Sequence, residues 1–395
     1  MAANSAFGPD VRVLDIKTRI LYGIGTSLVT GKEAAALGAR RVFIVTDQGV
    51  ARAGIAEKIR ENVAEAGLEA TVWDGVVENP SVESVDAGAA AAGVFRADLL
   101  IGLGGGSAMD SAKLMAAMLA DGKTSIYSYF RNPKVENPIL PVIAIPTTAG
   151  TGSEVSLYAI VNKKDTGERL SLTAPSLYAT LAILEPEFAA MQPPKLAAAT
   201  GMDALAHAVE GFISKRASAF GDAMAAEAIR LIGKSLVRLC EEPGNVEAAA
   251  DMIYASTMAG LVLGLASVCL GHGLSRPFST FYGIHHGLAN AMTLPPIVEF
   301  NKPGHEAKYA RLAELLGAGE PGMSREALAQ AAVDKVWDIQ RRLGIPRSFS
   351  ELGVPRSDMP RIVEAVLAFP GPLVNNPRPV SREDIEAIYS QLLPR

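Results

Sequence analysis

The chain has 395 residues, more than one hydrophobic core usually organises, so its length predicts two domains. Hydrophobic residues make up 49% of the sequence and charged residues 20%, which is typical of a globular protein and argues against a disordered chain. The formal net charge of −5 provides no basic field for nucleic acid or for an anionic membrane surface, so we expect neither as a partner.

The N-terminal sequence MAANSAFGPDVRVLD has no charged segment followed by an apolar stretch and a cleavage site, so it predicts no signal peptide. The chain contains two cysteines, Cys240 and Cys269, which are too few for a disulfide framework and suit a reducing compartment. We therefore expect a cytoplasmic protein.

The first half of the chain alternates short apolar segments rich in β-branched residues with alanine-rich helical segments. The predicted strands are RRVFIVTD, TVWDGVV, ADLLIGLGGG and LPVIAIPTT, and the predicted helices lie near residues 50–66, 82–95 and 108–120. This order is typical of βαβ units that build a mainly parallel sheet. We predict an α/β dinucleotide-binding domain over residues 1–194.

The character of the sequence changes at the rigid pair Pro193-Pro194. From residue 195 onward helical patterns replace the strand signals, which predicts an all-α domain for metal and substrate over residues 195–395. One uncharged run, residues 252–271, is long enough to cross a bilayer, but it is interrupted by glycines and polar residues. We interpret it as one buried helix.

The segment LLIGLGGGSAMDSAK places Gly104, Gly105, Gly106 and Ser107 between a strand and a helix. Adjacent glycines let backbone amides approach an anion, and the helix N-terminus adds its positive dipole end. The segment thus resembles a pyrophosphate cradle, although it lacks the usual GxGxxG spacing and glycines also serve tight packing.

A second loop, IPTTAGTGSEVS, follows another strand and supplies Thr147, Thr148, Thr151 and Ser153. Hydroxyls and open amides suit phosphate or ribose, although a plain polar turn would have the same composition. Asp47 ends the strand FIVTD, where a carboxylate can bind a ribose diol and would repel a 2′-phosphate, or can simply cap a helix. We favour NAD over NADP.

Asp203 and His207 lie four residues apart in a helical context, so both side chains project from one face. The pair could equally be a hydrogen-bonded pair on the protein surface, but three more histidines, His272, His285 and His286, also lie in apolar or glycine-rich surroundings. Buried histidines without partners are costly, which favours a shared ligand. One carboxylate and three imidazoles suit a divalent iron or zinc ion, and the chemistry alone does not separate His285 from His286.

Four segments, GGGSAMDSAK, PTTAGTGSE, GMDALAHAVE and HHGLANAMTLP, together resemble the iron-containing (group III) alcohol dehydrogenase family, whose fold is similar to that of dehydroquinate synthase. The likeness covers nearly the whole chain. It implies an NAD-dependent, metal-dependent alcohol dehydrogenase or aldehyde reductase, with Fe²⁺ favoured over Zn²⁺ and a homodimer or larger homo-oligomer expected.

The resemblance also implies residue roles. The family's four metal ligands correspond to Asp203, His207, His272 and His286, which leaves His285 as a neighbour. The family's cofactor contacts correspond to a larger set in the first half, namely Asp47, Asn79, Gly105, Gly106, Ser107, Asp110, Thr147, Thr148, Ser153 and Arg169, the last where a lysine is frequent.

One departure from the family pattern concerns the substrate. Many members carry a further histidine four residues after the third ligand, where this chain has Arg276. Arginine stays protonated and cannot act as a general base, but it can hold a carboxylate, phosphonate or sulfonate. The alternative is that Arg276 bonds backbone or a structural acid. A second departure is Glu185 in place of a usual aspartate, which we regard as minor.

We expect the alcohol oxygen to bind the metal, and the hydride to pass to the nicotinamide of a cofactor that lies between the two halves. His285 is a candidate proton relay, although a chain of water molecules would serve as well. The rival readings are an NAD- and metal-dependent lyase of the dehydroquinate synthase type, a non-catalytic NAD-sensing protein, and a metallohydrolase. The last leaves both glycine-rich loops unexplained.

Overall fold

The computed structural model describes residues 15–163 and 169–394. The N-terminal segment on which the signal-peptide prediction rests lies, apart from its last residue, outside this range. The described chain forms two compact units. We call Asp15–Gln192 with Gly244–Thr257 the sheet unit, and Pro193–Pro243 with the residues from Met258 onward the helical unit. The predicted domain boundary at residue 194 stays a prediction.

The sheet unit contains eight strands among its described residues, with the bounds β1 Arg19–Tyr22, β2 Arg41–Val45, β3 Glu69–Trp73, β4 Leu99–Gly104, β5 Val142–Pro146, β6 Tyr158–Asn162, β7 Arg169–Thr173 and β8 Leu181–Leu184. Six of them form a parallel sheet in the order β1-β8-β5-β4-β2-β3. The other two, β6 and β7, pair as an antiparallel hairpin. The predicted parallel α/β layer is confirmed.

The central strands are apolar at nearly every position because both faces of the sheet are covered. In β2, Val42 and Ile44 belong to one hydrophobic cluster, whereas Phe43 and Val45 belong to another. Strand β4 is buried along its whole length. A continuous apolar segment, rather than an alternating one, is therefore what the fold requires of these strands.

The sheet has a switch point between β2 and β4. From β2 the chain moves outward to β3, whereas from β4 it moves in the opposite direction to β5 and then to β8. In open α/β sheets, ligands bind outside the carboxyl ends of the strands where the connections diverge in this way. The ends of β2 and β4 are Val45 and Gly104. Both the predicted ribose residue and the glycine turn follow these ends.

Seventeen α-helices are assigned within the described residues. Their bounds are α1 Thr30–Ala36, α2 Gln48–Arg52, α3 Ile55–Glu65, α4 Val82–Phe95, α5 Gly106–Ala120, α6 Tyr127–Arg131, α7 Pro186–Ala190, α8 Pro194–Ile213, α9 Ala219–Glu241, α10 Val246–Ala266, α11 Leu270–Tyr282, α12 His286–Asn301, α13 Glu306–Leu315, α14 Arg325–Arg342, α15 Met359–Leu367, α16 Gly371–Asn375 and α17 Arg382–Leu392.

Helix α8 is the centre of the helical unit. Pro194 occupies its first turn, where a missing backbone N–H costs nothing, and residues from Ala197 to Ile213 are buried without interruption. The helix packs against α9 and α12, and α11 packs against α12. A helix that is buried on every face belongs in the middle of a bundle. Within its described residues this unit contains helices and no strands, as predicted.

The prediction of one buried helix over residues 252–271 is wrong in its extent. Helix α10 ends at Ala266, Ser267 adopts a left-handed conformation with φ 57°, and Cys269 is the N-cap of α11. By length and composition alone Val246–Ala266 could cross a membrane, and 56% of its most apolar window is buried. Composition could not reveal the break, because a buried carboxylate on α8, described below, binds the backbone at the start of α11.

Candidate metal centre and cofactor loops

Asp203 and His207 lie one turn apart on α8, and both side chains are buried. The distance from Asp203 Oδ1 to His207 Nε2 is 3.9 Å. The predicted pair therefore does share one helix face. It faces the interior of the helical unit, which disfavours the alternative of an exposed pair.

His272, on α11, joins this pair. Its Nε2 lies 3.6 Å from Asp203 Oδ1, and its ring stacks on that of His207 with centroids 4.7 Å apart. The potential ligand atoms of these three residues all lie within 4.8 Å of one another. These three residues thus form one buried cluster, although Asp203 and His272 are 69 positions apart in the sequence.

His286 begins α12 and borders the same cluster. Its ring meets the His272 ring edge-on, with centroids 5.6 Å apart. Asn290, one turn later, donates a 2.6 Å hydrogen bond to Asp203 Oδ1 and lies 3.1 Å from His286 Nε2. His286 is outside the close three-residue group, so its role as the fourth ligand stays a prediction. Asn290 was missed, although its spacing of four from His286 is a usable signal.

The electrostatics of the cluster suit a cation. Burial opposes the charge on Asp203, but His207, His272 and His286 hold its pKa well below the usual range. Burial alone would lower the pKa of His272, whereas the carboxylates of Glu210 and Asp203 raise it to about 9. His272 Nε2 is buried without a hydrogen-bond partner. Imidazole nitrogens grouped around a carboxylate oxygen are the ligand atoms that a divalent ion of the iron or zinc type prefers.

Glu210 is a buried carboxylate that the sequence reasoning missed. It lies on α8 one turn after His207 and accepts a 2.8 Å hydrogen bond from His272 Nδ1. The spacing of seven from Asp203 and three from His207 places all three on one helix face, and this signal could have revealed it.

Two further predicted residues lie close in sequence to His272 and His286. His285 is the N-cap of α12, and its Nδ1 accepts a hydrogen bond from the backbone N–H of Leu288. Arg276 lies one turn after His272 on α11, half-buried, with its guanidinium 4.2 Å from the ring centroid of Phe369. No carboxylate in the described part of the chain forms an ion pair with Arg276. Burial lowers its pKa from the ordinary value, and an arginine remains cationic all the same.

In the sheet unit the two predicted loops lie against each other. A Cβ on Gly106 would come within 2.8 Å of Thr151 Cγ2, and one on Gly105 within 3.4 Å of Thr148 Oγ1. The backbone N–H of Thr147 donates to Gly104 O at 3.0 Å. Gly105 is the N-cap of α5 and offers no side-chain cap, so no capping side chain competes with a ligand at the N-terminus of this 15-residue helix.

Asp47 lies beside the glycine turn. Its Oδ1 accepts hydrogen bonds from the amides of Gly49 and Val50 at the start of α2, as the capping alternative required. Its Oδ2 lies 3.3 Å from the position that a Cβ on Gly104 would occupy. The carboxylate thus caps a helix with one oxygen and borders the switch point with the other.

Asp110 and Ser153 are joined, because Ser153 Oγ donates a 2.6 Å hydrogen bond to Asp110 Oδ1. Ile160 N donates to the second carboxylate oxygen at 3.1 Å. The fully buried Lys113 binds Ser153 O and Ser156 O through its Nζ. This network fixes the second loop to α5 and β6. Lys113 was not among the predicted site residues.

The remaining predicted cofactor residues lie at the edges of this arrangement. Asn79 adopts a left-handed conformation with φ 53° immediately before Pro80. Arg169 starts β7 opposite Asn162 in the hairpin, and Ser107 lies in the first turn of α5. Their contacts with a cofactor stay predictions.

Comparisons with known proteins agree with this geometry. Residues 17–186 match the description "Iron-containing alcohol dehydrogenase", and residues 197–393 match "Fe-containing alcohol dehydrogenase family, C-terminal". The chain is 33% identical to 1,3-propanediol dehydrogenase of Klebsiella pneumoniae over 94% of this chain and 96% of that protein. This chain belongs to the iron-containing alcohol dehydrogenase family. The resemblance stated from its motifs is thereby confirmed.

Solved structures of family members show the same fold. The crystal structure of a 1,3-propanediol oxidoreductase has a TM-score of 0.92 and 31% identity, and the match covers 97% of this chain and 100% of that chain. Sulfoacetaldehyde reductase from Bifidobacterium kashiwanohense, solved in complex with NAD⁺, has a TM-score of 0.88 and 29% identity, with coverages of 98% and 99%. The chain is therefore an oxidoreductase of the NAD-dependent, metal-containing type.

Proposed function

We propose that this protein interconverts a small alcohol and its aldehyde or ketone with NAD(H), and that its substrate carries an anionic group. The observation that carries the proposal is the buried Asp203, His207 and His272 cluster in a chain of this family. Asp203, His207, His272 and His286 would hold a divalent ion, Fe²⁺ in preference to Zn²⁺. Such an ion acts as a Lewis acid toward an alcohol or carbonyl oxygen, and the nicotinamide exchanges the hydride.

The four protein ligands perform a defined task. One carboxylate and three neutral imidazoles would neutralise only part of a divalent charge, which would leave a bound ion able to act as that Lewis acid. Asn290 holds the Asp203 carboxylate by a 2.6 Å hydrogen bond, which keeps the oxygen oriented toward the imidazoles. The apolar surroundings of α8 exclude water and strengthen each of these electrostatic interactions.

NAD is the cofactor that we propose for the sheet unit. The N-terminus of α5 and the adjoining glycines would bind the pyrophosphate, with Thr147, Thr148 and Thr151 offering hydroxyls from the second loop. Asp47 Oδ2 would accept from the ribose diol and repel a 2′-phosphate, which favours NAD over NADP.

Arg276 is our basis for an anionic substrate. Its charge is half-buried and stacked on Phe369, it has no carboxylate partner within the described ranges, and it lies one turn from His272. A desolvated guanidinium without an acid gains most from a carboxylate, phosphonate or sulfonate that the substrate brings. The sulfonate named in the substrate of the Bifidobacterium relative belongs to this chemical class.

His285 is the proton relay that we propose. Because its Nδ1 accepts from Leu288 N, the neutral ring carries its proton on Nε2, and this nitrogen would exchange protons with solvent. A chain of water molecules is the competing route.

We also propose that the protein self-associates and that it is cytoplasmic. Tyr22, Ile24 and Leu28 are exposed next to the edge strand β1, and Tyr22 packs on the half-exposed Tyr254. Such a patch at a sheet edge supports a homodimer or larger homo-oligomer. Cys240 and Cys269 are free thiols, in keeping with a reducing compartment.

The proposed activity is tested by following NADH absorbance with protein loaded with iron or with zinc. Paired substrates that differ only in the distal group, such as succinate semialdehyde and butanal, separate the reaction from its specificity. Reduction of both with preference for the charged aldehyde supports the whole proposal. Turnover of neither by metal-loaded protein contradicts the assigned reaction, and equal turnover contradicts the anionic substrate alone.

A further inference from the structure

Glu210 is a carboxylate with no solvent exposure. A buried charge of this kind is costly unless it is paired and hydrogen-bonded. In the described part of the chain its ion-pair partner is His272, and no lysine or arginine serves that role. The contacts that offset the cost of burying this carboxylate are therefore those with His272 and with the backbone around it.

Three hydrogen bonds hold Glu210 against the start of α11. Oε2 accepts from the backbone N–H of Cys269 at 2.8 Å and from His272 Nδ1 at 2.8 Å, and Oε1 accepts from the backbone N–H of His272 at 3.2 Å. The positive end of the helix dipole favours an anion at this position. Both the backbone and the ring of one predicted ligand are thus fixed by one carboxylate.

Gly271 supplies an independent observation. A Cβ at this position would come within 2.3 Å of Glu210 Oε1, which is closer than side chains tolerate. Its backbone is not left-handed, so chain conformation does not require glycine here. The residue must be glycine because the carboxylate occupies the space beside it.

These contacts decide which nitrogen of His272 is available. A carboxylate can only accept a hydrogen bond, so Nδ1 carries a proton, and in the neutral ring, which is the form that binds a metal ion, Nε2 presents its lone pair. That nitrogen is the one 3.6 Å from Asp203 Oδ1. We propose that Glu210 is a positioning residue that fixes the tautomer and ring orientation of His272, and so determines how tightly the helical unit holds its divalent ion. This inference rests on the proposed metal site.

The first test is Glu210→Gln. The amide keeps the size of the side chain but has one oxygen for three donors, and its NH₂ group facing Nδ1 would favour the wrong tautomer. Loss of such outer partners lowers metal affinity by about 10- to 100-fold. We expect that loss in the dissociation constants for Zn²⁺ and Co²⁺, measured by competition with a chromophoric chelator, together with a changed Co²⁺ absorption spectrum.

Measurements on the metal-free protein separate a purely structural role of Glu210 from the proposed role in metal binding. If the carboxylate only caps α11, the variant melts at a lower temperature without metal but binds Zn²⁺ with the constant of the wild type. That result overturns the inference. A weakened constant in a variant whose metal-free circular dichroism matches the wild type supports it.

Gly271→Ala perturbs the same carboxylate from the other side and covers the case in which Glu210→Gln does not fold. We expect weaker Zn²⁺ binding, and no added effect of Gly271→Ala in a Glu210→Ala background, where the clash is gone. Gly264→Ala is the matched control, because nothing lies within 4 Å of its Cβ position. Unchanged affinity in both Glu210→Gln and Gly271→Ala refutes the inference alone, whereas failure of the wild type to bind an ion refutes the proposed function as well.

Discussion

The packing of Gly106 against Thr151 makes a quantitative prediction about the cofactor. In a Gly106→Ala variant the new methyl group would lie 2.8 Å from Thr151 Cγ2 and 2.9 Å from Thr151 Oγ1. Ordinary contacts begin near 3.4 Å, so the second loop must move by more than half an ångström. The backbone amides of the glycine turn are also less accessible to a pyrophosphate once a side chain is present.

The magnitude follows from the cost of overpacking, which is about 1–3 kcal/mol for an added methyl group in a tight contact. If the bound cofactor requires the loop in its original position, this cost is lost from the free energy of NADH binding, and the dissociation constant for NADH rises about 5- to 150-fold. A titration that follows NADH fluorescence measures it directly. Thr151→Ala removes the two closest atoms, so the double variant should recover part of the affinity.

Gly93→Ala is the control, since its added Cβ meets only Leu119 Cδ2 at an ordinary 3.6 Å. On helix α4 it should stabilise the fold by about 0.5–1 kcal/mol and leave NADH binding unchanged. Wild-type NADH affinity in Gly106→Ala would refute the assignment of the cofactor to these two loops.

Three further predictions concern single residues. Arg276→Leu should raise KM for an anionic aldehyde about 10- to 150-fold, the value of a charged hydrogen bond, and change KM for a neutral analogue by less than about threefold; equal effects would remove the anion pocket. His285→Ala should lower kcat because it removes a proton carrier, whereas Gly93→Ala should leave kcat unchanged; an unchanged rate of the His285 variant across the pH range would exclude the relay. Burial lowers the pKa of Lys113 to about 8 from an ordinary 10.5, so the folded state binds fewer protons than the unfolded state between these values. The free energy of unfolding of the wild type, relative to Lys113→Met, should therefore rise between pH 8 and 10.5 and level off below pH 8; a difference that falls with rising pH in urea titrations would contradict this assignment.

The sequence was most informative about the interior of the sheet. Strands β2, β4 and β5 were predicted because burial on both faces demands a continuous apolar segment. Strands β1 and β8 have four residues each, too few for a pattern to stand out from the background. The pairing of β1 with β8 joins segments more than 100 residues apart, and β8 also pairs with β5 across an intervening hairpin.

For the site, the sequence predicted which side chains share a face of one helix, but it did not predict which helices come into contact. The periodicity of α8 predicted that Asp203 and His207 share a face. The same periodicity includes Glu210, which was overlooked because a helical glutamate is usually exposed. Bringing His272 to this face depends on where α10 ends and α11 begins, and that break is made by Glu210 itself.

The central claim is that the helical unit binds one catalytic divalent ion through its carboxylate and histidines. The most direct measurement is the metal content of purified protein reconstituted anaerobically with Fe²⁺ or Zn²⁺, alongside the variants Asp203→Ala, His207→Ala, His272→Ala and His286→Ala. We predict about one ion per chain in the wild type, much less in each variant, and NADH oxidation by an aldehyde only where the ion is retained. Full metal content in the Asp203 and His272 variants, or aldehyde reduction by metal-free protein, would contradict the account.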